Sequence, residues 1–348
     1  MSLPPPEYLH AYCGNVLVAF ASAMIGIETF FVALRVVSSY VSRRPVGADD
    51  WLTIPGFAVN IALCAVSICL VLYGGIGYHL ITVVLEHPEK LPIFIKFEVA
   101  FSVVYIHSVT YPKLAMLSLF LRIFIGKWQR VFCYALMVVL VLSCIAGTLT
   151  QVFQCIPLHR FWDINDHGHS CFDQLAAWRW GSLSHIVTDL IMIALPIPTI
   201  LKLGLSWKDK IGVSLTLLMG GIGIITSILR FIAFWNWKSI GADGDGTWVA
   251  VELTAYSIAE AGVYLIASCL PSYRALYITV RGPKKERSYG SEETSTGNSW
   301  RAKTYVNADD SEIALNHLPI QTETSSHTHM SRPHSSRNET KIESEVHV

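Results

Sequence analysis

Seven apolar segments, each about long enough to cross a bilayer, occupy most of the first 270 residues. A helix needs about 20 predominantly apolar residues to span the hydrocarbon core. The segments run from about Cys13 to Val37, Trp51 to Tyr73, Phe97 to Leu119, Val131 to Phe153, Trp180 to Leu201, Ile211 to Trp235 and Val249 to Leu270. The sixth, IGVSLTLLMGGIGIITSILRFIAFW, carries a single charge, Arg230. In lipid the backbone must satisfy its own hydrogen bonds, so each segment is expected to be an α-helix. Composition agrees: 52% of residues are hydrophobic and only 15% are charged. A soluble domain of this length needs more charged surface. The expected fold is an all-α membrane protein, a seven-transmembrane helix bundle over residues 13–270. A short N-terminus, 1–12, precedes it, and a polar tail, 271–348, follows.

Lysine and arginine bias sets the expected orientation. With the N-terminus outside, the cytoplasmic segments hold fourteen basic residues and the outer ones five. The opening MSLPPPEYLH has no basic n-region and no small-residue cleavage site, so the first span is expected to insert the chain itself. Net charge is zero, which gives no electrostatic footprint for nucleic acid. The expected setting is a plasma membrane or an endomembrane, with the lipid bilayer as the principal partner.

Cys155 and Cys171 fall in one outer loop, on the oxidising side, where a disulfide is expected. Two free thiols are the alternative. Cys64, Cys69, Cys133, Cys144 and Cys269 lie within spans and read as small apolar packing residues. From Gly282 onward the chain is rich in Ser, Thr, Glu, Asn and His, and is expected to be a disordered cytoplasmic tail. Asn338-Glu-Thr340 matches the glycosylation sequon but is expected to stay unmodified in that compartment.

Ionisable residues at membrane depth are costly and usually face the bundle interior. His107, His185, Asp189 and Glu260 fall near the middle and form the candidate ligand-binding set. Glu28, Lys113, Arg230 and Glu252 form the candidate structural ion pairs. Depth suggests Glu28 with Lys113, and Arg230 with Glu252 or Glu98. His185 and Asp189 share a helix face, being four residues apart. Such groups either hold the bundle in register or line a ligand cavity or proton path. Pro112, Pro196 and Pro198 are expected to kink their helices.

Several function classes lose support here. A retinal Schiff base of the microbial type needs a lysine in the last span, and VAVELTAYSIAEAGVYLIASCL has none. No cofactor is expected. The third span lacks an acidic–Arg–aromatic triplet at its end, and the seventh lacks Asn-Pro-x-x-Tyr, so the marks of rhodopsin-class receptors are missing. No Walker, His-Glu-x-x-His or Gly-x-Ser-x-Gly sequence occurs. An enzyme is not expected; His185 with Asp189 as acid and base is the weaker alternative. Gly74-Gly75-Ile76-Gly77 lacks a βαβ context and reads as a turn.

The pattern of residues resembles the fungal rhodopsin-domain integral membrane proteins, a seven-helix group that includes satratoxin-cluster-type and receptor-like members. The carrying residues are the basic stretch from Arg43 to Asp49-Asp50-Trp51, then Gly74-Gly75-Ile76-Gly77-Tyr78-His79. Lys113, Leu114 and Ser118 through Phe124 follow in the third span. Phe153, Cys155, Pro157, Trp162 and Cys171 mark the outer loop. Asp189, Pro196 and Pro198, then Gly220, Gly221, Ser227 and Arg230, complete the pattern. His185 departs from it, since the family usually shows Asn there. The resemblance implies a receptor-like sensor of a small ligand, possible coupling to a heterotrimeric G protein or another cytoplasmic partner, or an accessory or transport role beside secondary-metabolite genes.

Overall fold

The computed structural model describes Glu7 and residues 10–42, 47–123, 126–155, 171, 173–198, 207–241 and 245–281. The polar tail beyond 281, Asn338 and most of the loop between Cys155 and Cys171 lie outside the described residues. Eight helices occur among them: α1 (Gly14–Val41), α2 (Ala48–Leu72), α3 (Leu80–Glu86), α4 (Lys90–Ile123), α5 (Lys127–Val152), α6 (Gln174–Ala194), α7 (Trp207–Gly241) and α8 (Gly246–Arg281). No strand is found among the described residues, only isolated bridges. The fold is all-helical, as expected.

Among the described residues six helices are long and apolar enough to cross a membrane: α1, α2, α4, α5, α7 and α8. The protein is a multi-pass membrane protein. Helix α6 occupies the expected fifth span, but Arg179, His185 and Asp189 dilute its apolar character. The helices extend past the apolar segments. α4 starts at Lys90 rather than Phe97 and runs for 34 residues, because hydropathy marks the lipid-facing stretch and not where helical hydrogen bonding stops. Short α3 was not foreseen for the same reason.

Burial ranks the helices. In its most apolar window α8 is 72% buried inside the bundle, against 17% for α5. Helix α8 is therefore the central post, packed by α1, α2, α4 and α7, while α5 presents most of its side chains outward. Without water to drive helices together, such packing depends on close van der Waals contact and polar pairing. Gly223 of α7 is one close approach: a Cβ there would sit 2.6 Å from Tyr264 Cζ of α8. Gly221, grouped with it in the sequence, faces open space.

Helix α6 stops at Ala194, two residues before Pro196, and helical residues resume at 197–198, so the helix is interrupted at this proline. Pro112 lies inside α4 and has no N–H for the Ser108 carbonyl. Asn60 of α2 supplies a substitute, with Nδ2 donating to Ser108 O at 3.4 Å and to Gly56 O at 3.0 Å. Gly56 sits on Tyr111 and Pro112, where its missing side chain lets α2 approach α4.

Polar clasps tie both ends of the bundle. At one end Gly75 and Gly77 take φ of 74° and 98°, a region that disfavours side chains. Their turn brings Gly77 O to Cys13 N at 3.0 Å and Gly77 N to Thr247 O at 3.3 Å. His79 follows, with Nδ1 2.7 Å from Asp245 Oδ2 and its ring stacked on Trp248. The expected turn thus joins the starts of α1 and α8. At the other end Arg35 of α1 is buried and reaches Asp49 at 2.7 Å, Asp50 at 3.0 Å and the Ser268 carbonyl of α8. Asp50 Oδ2 also accepts from Gly47 N at 3.2 Å and caps α2. Asp49 and Asp50 therefore do more than complement the helix dipole: they fix α1 against α2 and α8.

Candidate functional site

Helices α4, α6, α7 and α8 each place polar side chains on one interior face. Lys113 and Tyr105 are eight residues apart on α4, two turns plus roughly 80° of rotation, and both side chains are buried in the bundle. Lys113 Nζ lies 2.5 Å from Asp189 Oδ1 of α6, with both side chains at or below 1% exposure. Ser227 of α7 sits between two carboxylates. Its hydroxyl donates to Glu260 Oε1 of α8 at 2.6 Å, and Asp189 Oδ2 lies 3.3 Å away. Tyr105 donates to Glu260 Oε2 at 2.7 Å. Arg230 Nε approaches the same oxygen at 3.3 Å.

The result is a continuous buried chain: Lys113, Asp189, Ser227, Glu260, Arg230. Its four charged side chains sum to zero. The two like-charged carboxylates are separated by the Ser227 hydroxyl, whose one proton serves one of them at a time. The cations are further held by rings. Arg230 Cζ lies 4.2 Å from the Tyr105 centroid and 5.8 Å from that of Phe234, and Lys113 Nζ lies 4.7 Å from that of Tyr264. Such contacts contribute about 0.5–2 kcal/mol each.

Above this chain opens a cavity of about 530 Å³ between α4, α5, α6, α7 and α8. Phe101, Trp178, Phe234 and Leu253 contribute apolar wall, while Glu98, Gln151, His185, Arg230 and Ser257 contribute polar groups. Its size and mixed lining suit a small molecule. Tyr105 and Arg230 belong both to the cavity wall and to the buried chain.

The candidate ligand-binding residues divide. His185 lines the cavity, with its ring edge-on to Tyr105 at 6.1 Å. Asp189 and Glu260 lie behind the wall, inside the ion chain. His107 joins neither: its Nδ1 pairs with Val103 O at 2.9 Å, and its ring lies beside Tyr111. The expected ion pairs are also rearranged. Arg230 meets Glu260, not Glu252 or Glu98, because Glu260 faces the interior whereas Glu252 is exposed and bonded by Tyr256. Lys113 meets Asp189, not Glu28. Glu28 is fully buried, yet neither carboxylate oxygen has a hydrogen-bond partner among the described residues. It lies against Gly262 of α8. Depth along separate helices does not reveal which faces turn towards each other.

Tyr105, Ser227 and Arg35 were missed as site or clasp residues. Cys155 and Cys171 are joined in a disulfide, with their Cα atoms 4.3 Å apart.

The sequence profile of the fungal rhodopsin domain matches residues 34–279, most of the helical region. The chain belongs to the fungal rhodopsin domain family. Relatives are fungal. The chain is 34% identical over 275 residues to "Polyenoic acids biosynthesis gene cluster protein Ba17b" of Metarhizium anisopliae, covering 76% of this chain and 74% of that one. It is 32% identical to "Wortmanamides biosynthesis cluster protein C" of Talaromyces wortmannii, covering 58% of this chain and 54% of the other. "Receptor GIN3" of Arthrobotrys oligospora is 22% identical over 71% of this chain and 58% of its own length. No solved structure matches. Within the family, Lys113, Asp189, Ser227 and Arg230 are residues of the resemblance and also members of the buried chain, so the resemblance and the geometry converge on one place.

Proposed function

We propose that this fungal rhodopsin-domain protein is a receptor-like sensor that binds a small, largely apolar molecule in the cavity between α4 and α8, without retinal. One observation carries the reading: Tyr105 and Arg230 line the cavity and are also bonded into an ion chain that reaches Lys113 through α8, α7 and α6. A ligand that shifts either side chain changes the partners of Glu260, and Glu260 shares Ser227 with Asp189. Binding is thereby linked to the relative placement of four helices, which is what a transmembrane sensor requires.

In this reading α6 is the seventh crossing. Its 21 residues rise about 31 Å at 1.5 Å each, close to the hydrocarbon thickness, and its Asp189 is neutralised by Lys113. The N-terminus faces outward, following the basic-residue bias. Signalling runs through the loops and tail on the opposite side to a cytoplasmic partner, such as a heterotrimeric G protein. No covalent chemistry is assigned, since Asp189 is engaged by Lys113 and is not available beside His185 as a base.

The second reading is an accessory or transport protein of a biosynthetic pathway. The names of the Metarhizium and Talaromyces relatives favour it, whereas that of the Arthrobotrys relative favours a receptor. Crosslinked, tagged protein purified from its native membrane separates the two. Recovery of a Gα subunit that is lost on adding a non-hydrolysable GTP analogue supports the sensor. Recovery of metabolic enzymes without Gα supports the pathway role.

A further inference from the structure

The cavity holds two polar groups that the ion chain does not satisfy. Arg230 is 4% exposed, and its Nη2 has no hydrogen-bond partner among the described residues. Its guanidinium lies beside the rings of Tyr105 and Phe234, which also face the cavity. Glu98 lines the same cavity and makes no hydrogen bond or ion pair with a described residue. A buried donor without a partner, as at Arg230, is costly unless something binds it, and Glu98, only partly buried, offers an acceptor on the same wall.

Their spacing is set by α4. Tyr105, on which Arg230 lies, is seven residues beyond Glu98, a rise of about 10 Å. Between them α4 contributes Phe101 and the single hydroxyl of Ser102, and α8 adds Leu253 to the cavity wall. The charge balance restricts the deep end further. Arg230 is already neutralised by Glu260, and the four-charge chain sums to zero. An anionic head there would face Glu260 across one guanidinium, whereas a neutral carbonyl oxygen would satisfy Nη2 without adding charge.

We infer that the cavity selects an elongated apolar molecule with a neutral carbonyl acceptor at the Arg230 end and a hydroxyl or amine donor at the Glu98 end, about 10 Å apart. This rests on the cavity being the ligand site. It goes further in naming the two ends of the ligand and the residues that read them.

Methyl 8-hydroxyoctanoate is a suitable probe, because an extended eight-carbon chain spans roughly 10 Å at about 1.2 Å per bond. Its saturable binding to the full chain in lipid nanodiscs is compared with that of methyl octanoate, 1-octanol and octane. The hydroxy ester is expected to bind at least about tenfold more tightly than methyl octanoate or 1-octanol, as hydrogen bonds to charged groups allow. Glu98→Leu is expected to abolish the advantage over methyl octanoate, and Arg230→Gln the advantage over 1-octanol. Glu98 has no described partner to lose, so its variant carries the test alone should Arg230→Gln fail to fold. Equal binding of the four probes overturns the two-ended selectivity while leaving the cavity reading intact, as does a preference unchanged by Glu98→Leu. Absence of saturable binding by every probe overturns both.

Discussion

Lys113 of α4 and Asp189 of α6 meet at 2.5 Å with essentially no exposure of either side chain. They hold α6, the least apolar of the long helices, against the bundle. Removing one partner leaves a buried charge uncompensated, which costs about 3–5 kcal/mol. Asp189→Asn should therefore lower the thermal midpoint of the protein in nanodiscs sharply. Lys113→Met combined with Asp189→Leu should recover most of that loss, because an apolar pair replaces a buried ion pair at little cost. A double variant as unstable as the single one would show that the pair is not the source.

Asn60 and Pro112 form a second coupled pair. Asn60→Leu should destabilise by about 1–3 kcal/mol, the cost of an unsatisfied buried carbonyl at Ser108. Pro112→Ala restores a backbone N–H to that carbonyl. The double variant should be less damaged than Asn60→Leu alone, and a double-variant cycle on unfolding midpoints reads the coupling.

Gly223 and Gly221 give a matched comparison on one helix. Gly223→Ala places a Cβ 2.6 Å from Tyr264 Cζ and should lower stability by about 1–3 kcal/mol. Gly221→Ala meets nothing within 4 Å and should be neutral or mildly stabilising, through helix propensity. Thermal midpoints of the two variants check this ordering.

The Cys155–Cys171 disulfide closes a separation of 16 residues. Cys155→Ser should cost about 2–4 kcal/mol and reduce delivery to the membrane. In the native protein, thiol labelling of the unfolded chain should rise on reduction, with the increase confined to these two cysteines.

The sequence disclosed the helices better than their contacts. Apolar length located every long helix, because the bilayer fixes that length. The Gly74–His79 turn was also legible, since two of its glycines take positive φ. The partners of Arg230 and Lys113 were not legible, because they depend on how each helix is rotated about its axis. Glu252 and Glu260 are eight residues apart, and a rotation of some tens of degrees separates an exposed carboxylate from a buried one. The inward role of Arg35 was hidden for another reason. A basic residue near a span end counts equally as an orientation signal and as an interior clasp, and only the nearby Asp49 and Asp50 decide between them.

The most direct test of the account is whether the cavity holds a molecule. Native mass spectrometry of the full chain extracted from its own membrane, compared with Ala177→Trp, addresses this, because Ala177 lines the cavity and is only half-buried. The account predicts a small molecule that copurifies with the native chain and is lost from a variant of unchanged thermal stability. The same bound species on both proteins, or none on either, would contradict it.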